Sequence, residues 1–125
     1  MKPKTILLVD DDFHIVKILS LKLKNAGFEV VTASNGAEAL EVIEQVAPDL
    51  MISDYSMPEM TGLQLIEHVR ALDAGKDIPV IMLTARGQDV ESWGAEMPRI
   101  DLMLNKPFSP REVLSKVEEL LEVHA

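Results

Sequence analysis

Cysteine is absent from the 125-residue chain, and aromatic residues make up only 4% of it. Disulfides and thiolate metal sites are therefore excluded, which suits the reducing cytoplasm. Long hydrophobic runs are also missing. The opening residues MKPK precede only about five apolar residues, which is too short a stretch for a signal peptide or a membrane span. We therefore expect a cytoplasmic protein with no membrane segment.

Basic residues are scarce as well. Twelve Lys and Arg stand against 21 Asp and Glu, which gives a formal net charge of -9. Because nucleic-acid affinity depends first on neutralising phosphates, such a surface excludes direct nucleic-acid binding by this domain. The natural complement of an acidic surface is a cationic ligand, and a metal ion is the simplest one.

What the sequence does contain is an alternation of short apolar runs with helical patterns. A hydrophobic fraction of 47% in 125 residues is enough for one core. The runs are residues 5–9, 28–33, 50–53, 80–83 and 102–105. Continuous apolarity over four to six residues is typical of strands buried on both faces. The run 28–33 is the most mixed, so we place it at an edge of the sheet.

Helical spacing of apolar residues predicts helices near 15–26, 36–46, 62–72, 87–97 and 109–121. Ser109, Pro110 and Glu112 form a helix start with a serine cap, and Pro98 ends the segment 87–97. Strands alternating with helices predict an α/β fold, a doubly wound five-stranded parallel sheet. The expected strand order is 2-1-3-4-5, in a single flavodoxin-like (βα)5 domain covering 1–125 with its core at about 5–121.

Polar residues stand where four of the predicted strands end. The first strand ends at Asp10-Asp11, the third at Asp54, the fourth at Thr84 and the fifth at Lys106. In a parallel sheet these ends lie along one edge, and ligands bind there at the switch in strand order. We therefore expect these residues, which are remote in the sequence, to converge on one small site between strands 1 and 3.

The chemistry of these residue types points to phosphoryl transfer. Three clustered carboxylates repel one another, so they must share protons, pair with Lys106 or meet a cation. An all-oxygen donor set suits Mg²⁺, and Lys106 with the Thr84 hydroxyl would complement phosphate oxygens. One carboxylate is then left as nucleophile, but these residues alone do not choose between Asp54 and Asp11. Asp12 is expected to cap the first helix.

Four stretches carry a resemblance to a known family. "LLVDDD", "PDLMISDYSMPEMTG", "VIMLTA" and "NKPF", in this order and spacing, resemble the receiver domain of two-component response regulators. The resemblance implies that Asp54 accepts a phosphoryl group from a phosphohistidine on a sensor histidine kinase or phosphotransfer protein. It also implies a phosphorylation-operated switch with slow self-hydrolysis, acting on a downstream effector or output domain, and the option of a phosphorylation-dependent homodimer.

The same resemblance implies roles for the other residues of the site. Mg²⁺, or Mn²⁺ in its place, would be held by Asp10, Asp11, Asp54 and the backbone carbonyl of Ser56. Thr84 and Lys106 would contact the phosphoryl oxygens, and the Lys106–Pro107 peptide bond would be cis.

The sequence departs from the family pattern at three places, and the first, Thr61 in place of the usual aspartate before Gly62, is expected to have a small effect. Met103 stands where the family usually has a tyrosine or phenylalanine that moves together with Thr84, so the readout of this switch is expected to differ. Arg99-Ile100 replaces the usual Gly-Ala before the fifth strand. With Gly94 and Pro98 just before it, we expect a short, mobile or unusually placed helix within residues 87–100.

Two other functions stay open from the sequence. Asp10 and Asp12 have the D-x-D spacing of Mg²⁺-dependent phosphohydrolases with an aspartyl nucleophile, although Phe13 and the short chain do not suit that class. A degenerate receiver acting only as a docking module is the other. Because the last residues have no linker-like composition, we favour a stand-alone receiver over a piece of a longer regulator.

Overall fold

The structure, a computed structural model, describes residues 3–84 and 99–122. Five strands and four helices lie in these ranges. They are β1 (Thr5–Val9), α1 (Phe13–Asn25), β2 (Glu29–Ala33), α2 (Gly36–Val46), β3 (Leu50–Asp54), α3 (Gly62–Arg70), β4 (Val80–Thr84), β5 (Leu102–Asn105) and α4 (Pro110–Leu121). The helix predicted within 87–97, and with it the prediction of an unusual segment 87–100, falls mostly on residues outside the described ranges.

The strands form one parallel sheet in the order β2-β1-β3-β4-β5, which confirms the predicted doubly wound, flavodoxin-like fold. Leu7 of β1 pairs with Val31 on one side and with Met51 on the other. As predicted, β2 lies at an edge of the sheet. Because all strands are parallel, their carboxyl ends share one edge.

The core consists of two layers, one on each face of the sheet. Alternate strand residues contribute to opposite layers because successive side chains of a strand point to opposite faces. Leu7 and Met51 pack with Ile43 of α2 and Leu65 of α3 in the first layer. The second layer packs strand residues against α1 and α4, and its members are Ile6, Leu8, Leu19, Leu23, Phe28, Leu50, Ile52, Ile81, Leu83, Leu104, Val113 and Val117.

Helix starts follow the sequence signals. The Asp12 carboxylate accepts hydrogen bonds from the backbone N–H groups of His14 at 3.0 Å and Ile15 at 3.5 Å, so Asp12 caps α1 as expected. Ser109 accepts from the Glu112 N–H at 3.0 Å at the start of α4, with proline at the first helical position. Within the described ranges, no helix has the length and apolarity needed to cross a bilayer.

Strands β3 and β4 each run one residue further than predicted. Asp54 pairs with Leu83 and Thr84 pairs with Asn105, so two polar site residues are part of the ladder itself. The apolar runs in the sequence end before Asp54 and Thr84, because these two side chains are polar. Backbone pairing does not depend on side-chain polarity and continues through both residues. The consequence is that rigid strand ends, and not loops, hold Asp54 and Thr84.

Arg70, at the end of α3, ties together three parts of the chain. Its guanidinium donates to the carbonyls of Gly75 at 3.0 Å and Ile78 at 2.7 Å in the loop before β4. It also donates to the Arg99 carbonyl at 2.9 Å and forms an ion pair with Asp101 at 3.5 Å, just before β5. The planar fork of arginine matches several fixed acceptors at once, so Arg70 sets how β4 and β5 begin.

This contact predicts that Arg70→Lys lowers the free energy of unfolding by about 1 to 3 kcal/mol, because an ammonium cannot satisfy carbonyls on both sides. Urea unfolding followed by circular dichroism measures the change. The exposed Arg111 provides the matched control, and Arg111→Lys is expected to change stability by less than about 0.5 kcal/mol. Equal effects of the two variants would contradict the role assigned to Arg70.

Candidate functional site

Three carboxylates meet at the carboxyl edge of the sheet. Asp10 and Asp11 directly follow β1, and Asp54 ends β3, the strand next to it. One oxygen from each of the three side chains lies within 4.8 Å of the others. Asp10 and Asp54 are only 1% and 4% exposed, whereas Asp11 lies at the exposed rim. The structure thus brings together the acidic residues that the sequence predicted to converge.

Asp10 is the most constrained member of the cluster. One of its oxygens accepts a hydrogen bond from the Asp12 N–H at 2.8 Å. The other oxygen is buried and has no hydrogen-bond partner among the described residues. Burial, reinforced by the nearby Asp54 charge, raises the pKa of Asp10 from 3.8 to about 6. A buried, unpaired oxygen on a carboxylate that belongs to a cluster of three is a fitting ligand for a hard divalent cation.

Asp54 has a cationic partner. Its Oδ1 lies 3.0 Å from the Lys106 Nζ, and the lysine side chain is 30% exposed. Burial raises the pKa of Asp54, and the hydrogen bond from Lys106 only partly opposes that rise. Lys106 is itself held by β4, because its backbone N–H donates to the Thr84 carbonyl at 2.7 Å. The Lys106–Pro107 peptide bond that follows is cis.

Gly62 allows the loop after Asp54 to return close to it. A Cβ at position 62 would collide with the Asp54 carbonyl oxygen and crowd the Tyr55 backbone. The Gly62 N–H donates to the Tyr55 carbonyl at 2.8 Å, and the Tyr55 N–H donates to the Leu83 carbonyl at 2.9 Å. The backbone at Asp54 is therefore fixed from both sides. Sequence reasoning did not assign this role, since a glycine at a helix start does not reveal what packs against it.

Thr84 ends β4 and is 2% exposed. Its hydroxyl donates a hydrogen bond to the Asn105 Oδ1 at 2.8 Å. The sequence places Asn105 at the end of the fifth strand, and nothing in it marks Asn105 as a partner of Thr84. The contact depends on the register between β4 and β5, which becomes visible only in the folded sheet.

The remaining predicted residues occupy different surroundings. Ser56 is exposed in the loop between β3 and α3, two residues beyond Asp54. Met103 is half-buried in β5, pairs in register with Met82 and packs against the first core layer. The carbonyl ligand and switch roles assigned to these two residues stay predictions. His14 and His68 are exposed, as expected for histidines outside the site.

The buried Asp10 predicts a pH dependence of stability in metal-free protein. Its pKa is about 6 when folded against 3.8 for the ordinary carboxyl, so between these values only the folded state binds the proton. The free energy of unfolding therefore falls as the pH rises through this window. Asp10→Asn removes this loss and should be the more stable protein at pH 7 by about 2 to 3 kcal/mol, with the difference disappearing below about pH 4.

Urea unfolding in the presence of a chelator measures this difference across pH 4 to 7. Asp12→Asn is the matched control, because an asparagine oxygen can still cap α1, and it should show no such pH-dependent gain. A constant difference between wild type and Asp10→Asn over this range would contradict the prediction.

Comparison with known proteins agrees with this geometry. The family profile of the response regulator receiver domain matches residues 6–118. The transcriptional regulatory protein GlrR of Escherichia coli K12 is 39% identical over 124 residues, covering 99% of this chain and 28% of that protein. PhoP of Bacillus subtilis, the alkaline phosphatase synthesis transcriptional regulatory protein, is 39% identical over 119 residues, covering 94% of this chain and 48% of its own. The chain thus spans about half or less of these relatives.

Solved structures of response regulators also resemble this chain. The chemotaxis response regulator CheY4 of Vibrio cholerae superposes with a TM-score of 0.86 at 33% identity, covering 94% of this chain and 98% of its own. A response regulator from Chloroflexus aurantiacus superposes with a TM-score of 0.87 at 37% identity, covering 97% and 99%. With its fold, its acidic cluster and these relatives in agreement, the chain belongs to the receiver domain family of two-component response regulators.

Proposed function

We propose that Asp54 is the phosphoacceptor of a two-component phosphorelay and receives its phosphoryl group from a phosphohistidine. The donor would be a sensor histidine kinase or a phosphotransfer protein. The observation that carries the proposal is the 3.0 Å contact between the Asp54 carboxylate and Lys106, inside the three-carboxylate cluster. Lys106 is thereby available to stabilise charge on a group bonded to Asp54 and not to Asp10 or Asp11.

The reaction is an in-line displacement at phosphorus. An Asp54 carboxylate oxygen forms a bond to phosphorus while the phosphorus–nitrogen bond to histidine breaks. The ring nitrogen leaves with the electron pair, and the ring takes up one proton from solvent to give neutral imidazole. The product is an acyl phosphate that adds about -1.5 to -2 charges to a site already rich in carboxylates. A compensating cation is therefore a requirement of the chemistry.

Mg²⁺ bound by Asp10, Asp11, Asp54 and the Ser56 carbonyl would offset the charge on the phosphoryl oxygens, and Mn²⁺ could replace it. The unpaired buried oxygen of Asp10 supports this assignment. Asp10 and Asp11 hold the cation, Lys106 contributes a point charge, and the Thr84 hydroxyl contributes a donor. The acyl phosphate is expected to hydrolyse slowly in water. The domain would thus act as a timed signal and not as a turnover enzyme.

A surface on α1 could receive the phosphodonor. Phe13, Ile18 and Leu21 are 73%, 54% and 60% exposed on this helix. Beside it lies a groove of about 230 Å³ formed with the segment around Phe108, and Lys106 borders the groove. Phe13 shares a cleft with Asp10 and Asp11, and Ile18 lines the groove with Lys106, so these exposed apolar side chains support docking of a partner that must reach Asp54.

Phosphorylation would bias two conformations through Thr84, with Met103 in the position that reports the change to partners. The output would be a downstream effector protein or an output domain, and the curated relatives GlrR and PhoP extend beyond the part that this chain matches. Cytoplasmic location, lack of direct nucleic-acid binding and a phosphorylation-dependent homodimer stay predictions.

The alternative phosphohydrolase is not favoured. Its D-x-D motif would need the Asp12 side chain at the site, but that carboxylate accepts from the His14 and Ile15 N–H groups as the cap of α1. The family match and the receiver-like relatives also favour a signalling domain.

Phosphorylation by a small donor tests the acceptor without a partner protein. With acetyl phosphate and Mg²⁺, the wild-type chain should gain the mass of one phosphoryl group, and Asp54→Asn should gain none, because an amide is not a nucleophile here. Intact mass spectrometry gives the readout. Asp12→Asn, a neighbouring carboxylate outside the cluster, should be labelled like wild type. Equal labelling of Asp54→Asn would remove Asp54 as the acceptor.

Calorimetric titration with Mg²⁺ tests the metal assignment separately. Asp11→Asn should weaken binding by about tenfold or more, since the exposed Asp11 can lose its charge without disturbing the core. Glu38→Gln removes an exposed carboxylate at the adjacent cleft and should change affinity by less than about twofold, because salt screens such charges. Equal losses in both variants would mean that only net charge attracts the ion.

A further inference from the structure

Thr84 and Asn105 are paired residues at the ends of neighbouring parallel strands. The register of β4 and β5 places them opposite one another, so their side chains lie on the same face of the sheet. A backbone hydrogen bond of 2.7 Å from the Lys106 N–H to the Thr84 carbonyl fixes the two strand ends. The side chains are thereby held within reach, and the Thr84 hydroxyl donates to the Asn105 Oδ1 at 2.8 Å.

A threonine hydroxyl has a single proton to donate. Phosphoryl oxygens accept hydrogen bonds and donate none at neutral pH, so contact between Thr84 and a phosphorylated Asp54 requires that same proton. While the hydroxyl donates to Asn105, it cannot donate to the phosphoryl group. The two hydrogen bonds are therefore mutually exclusive.

We propose that Asn105 is a positioning residue that holds the Thr84 hydroxyl away from the acceptor site and so opposes the phosphorylated conformation. The proposal rests on the function inferred above for Asp54. Asn105 acts only through Thr84. It sets how readily the hydroxyl turns toward Asp54, and hence how strongly the site binds a phosphoryl group.

The surroundings of the pair explain why this contact matters. Thr84 is 2% exposed, so water has little access to its hydroxyl. A buried hydroxyl that leaves one partner needs another, because an unsatisfied polar group is costly inside a protein. The phosphoryl group is the natural second partner. Asn105 itself is exposed, so its own amide can turn to water when the threonine leaves.

Beryllium fluoride, an analogue of the phosphoryl group, is the probe, titrated calorimetrically at saturating Mg²⁺. Asn105→Val removes the acceptor and keeps a residue suited to a strand, so binding should tighten by about threefold to tenfold. Asn105→Thr differs from Asn105→Val by a hydroxyl that can accept the hydrogen bond from Thr84. Its affinity for beryllium fluoride should therefore stay near that of wild type. Asn25→Ala, an exposed asparagine at the end of α1, controls for general effects.

A double-mutant cycle separates this role from a general structural effect. In the Thr84→Ala background no hydroxyl exists to be held, so Asn105→Val should leave the affinity for beryllium fluoride unchanged. The same tightening in both backgrounds would overturn the proposal. Unchanged or weaker binding by the single Asn105→Val variant would overturn it too, since the amide would then be neutral or helpful to the phosphorylated state.

The same titration distinguishes failure of the Asp54 proposal from failure of the Asn105 proposal. If the wild-type chain binds no beryllium fluoride in the presence of Mg²⁺, the role of Asp54 fails and the role of Asn105 fails with it. If the wild type binds and Asp54→Asn does not, the acceptor is established, and the Asn105 variants alone decide the positioning role.

Discussion

The repulsion among three carboxylates at one edge of the sheet is the constraint on which the rest of the site depends. Their oxygens lie within 4.8 Å of one another, and two of the three side chains are almost fully buried. One lysine, 3.0 Å from Asp54, offsets part of this charge. Burial, more than the neighbouring charges, raises the pKa values of Asp10 and Asp54. Because burial disfavours charged carboxylates, a bound cation would stabilise this cluster.

The fold maintains this unfavourable cluster by holding each member on a rigid element. Asp54 belongs to the ladder of β3, and its backbone is confined by the close approach of Gly62. Asp10 is anchored through its contact with the Asp12 N–H, while the Asp12 side chain caps α1. Two apolar layers secure the central strands from both faces. The repulsion among the carboxylates would separate them if they stood on flexible segments. Packing of the strands keeps them close together.

The second half of the site is a set of exchangeable polar contacts. Lys106 pairs with Asp54, and the Thr84 hydroxyl pairs with Asn105, so both groups that would meet a phosphoryl group already have partners. A phosphoryl group on Asp54 would offer new acceptor oxygens to the Lys106 ammonium and the Thr84 hydroxyl. A conformational change could then follow from the exchange of partners. Asn105 and Met103 both lie on β5, the strand beside β4, which ends at Thr84.

The sequence predicted the order of strands, the edge position of β2, the caps Asp12 and Ser109, and the convergence of Asp10, Asp11, Asp54 and Lys106. Each depends on periodicity, on local hydrogen bonding or on the rule that parallel strands end at a common edge. The contact of Thr84 with this site stays a prediction, because its hydroxyl donates to Asn105. Tertiary structure alone decided the Arg70 contacts, the need for glycine at position 62 and the pairing of Thr84 with Asn105. These contacts join residues 5 to 31 positions apart, and their distances are set by register and packing, which no local pattern records.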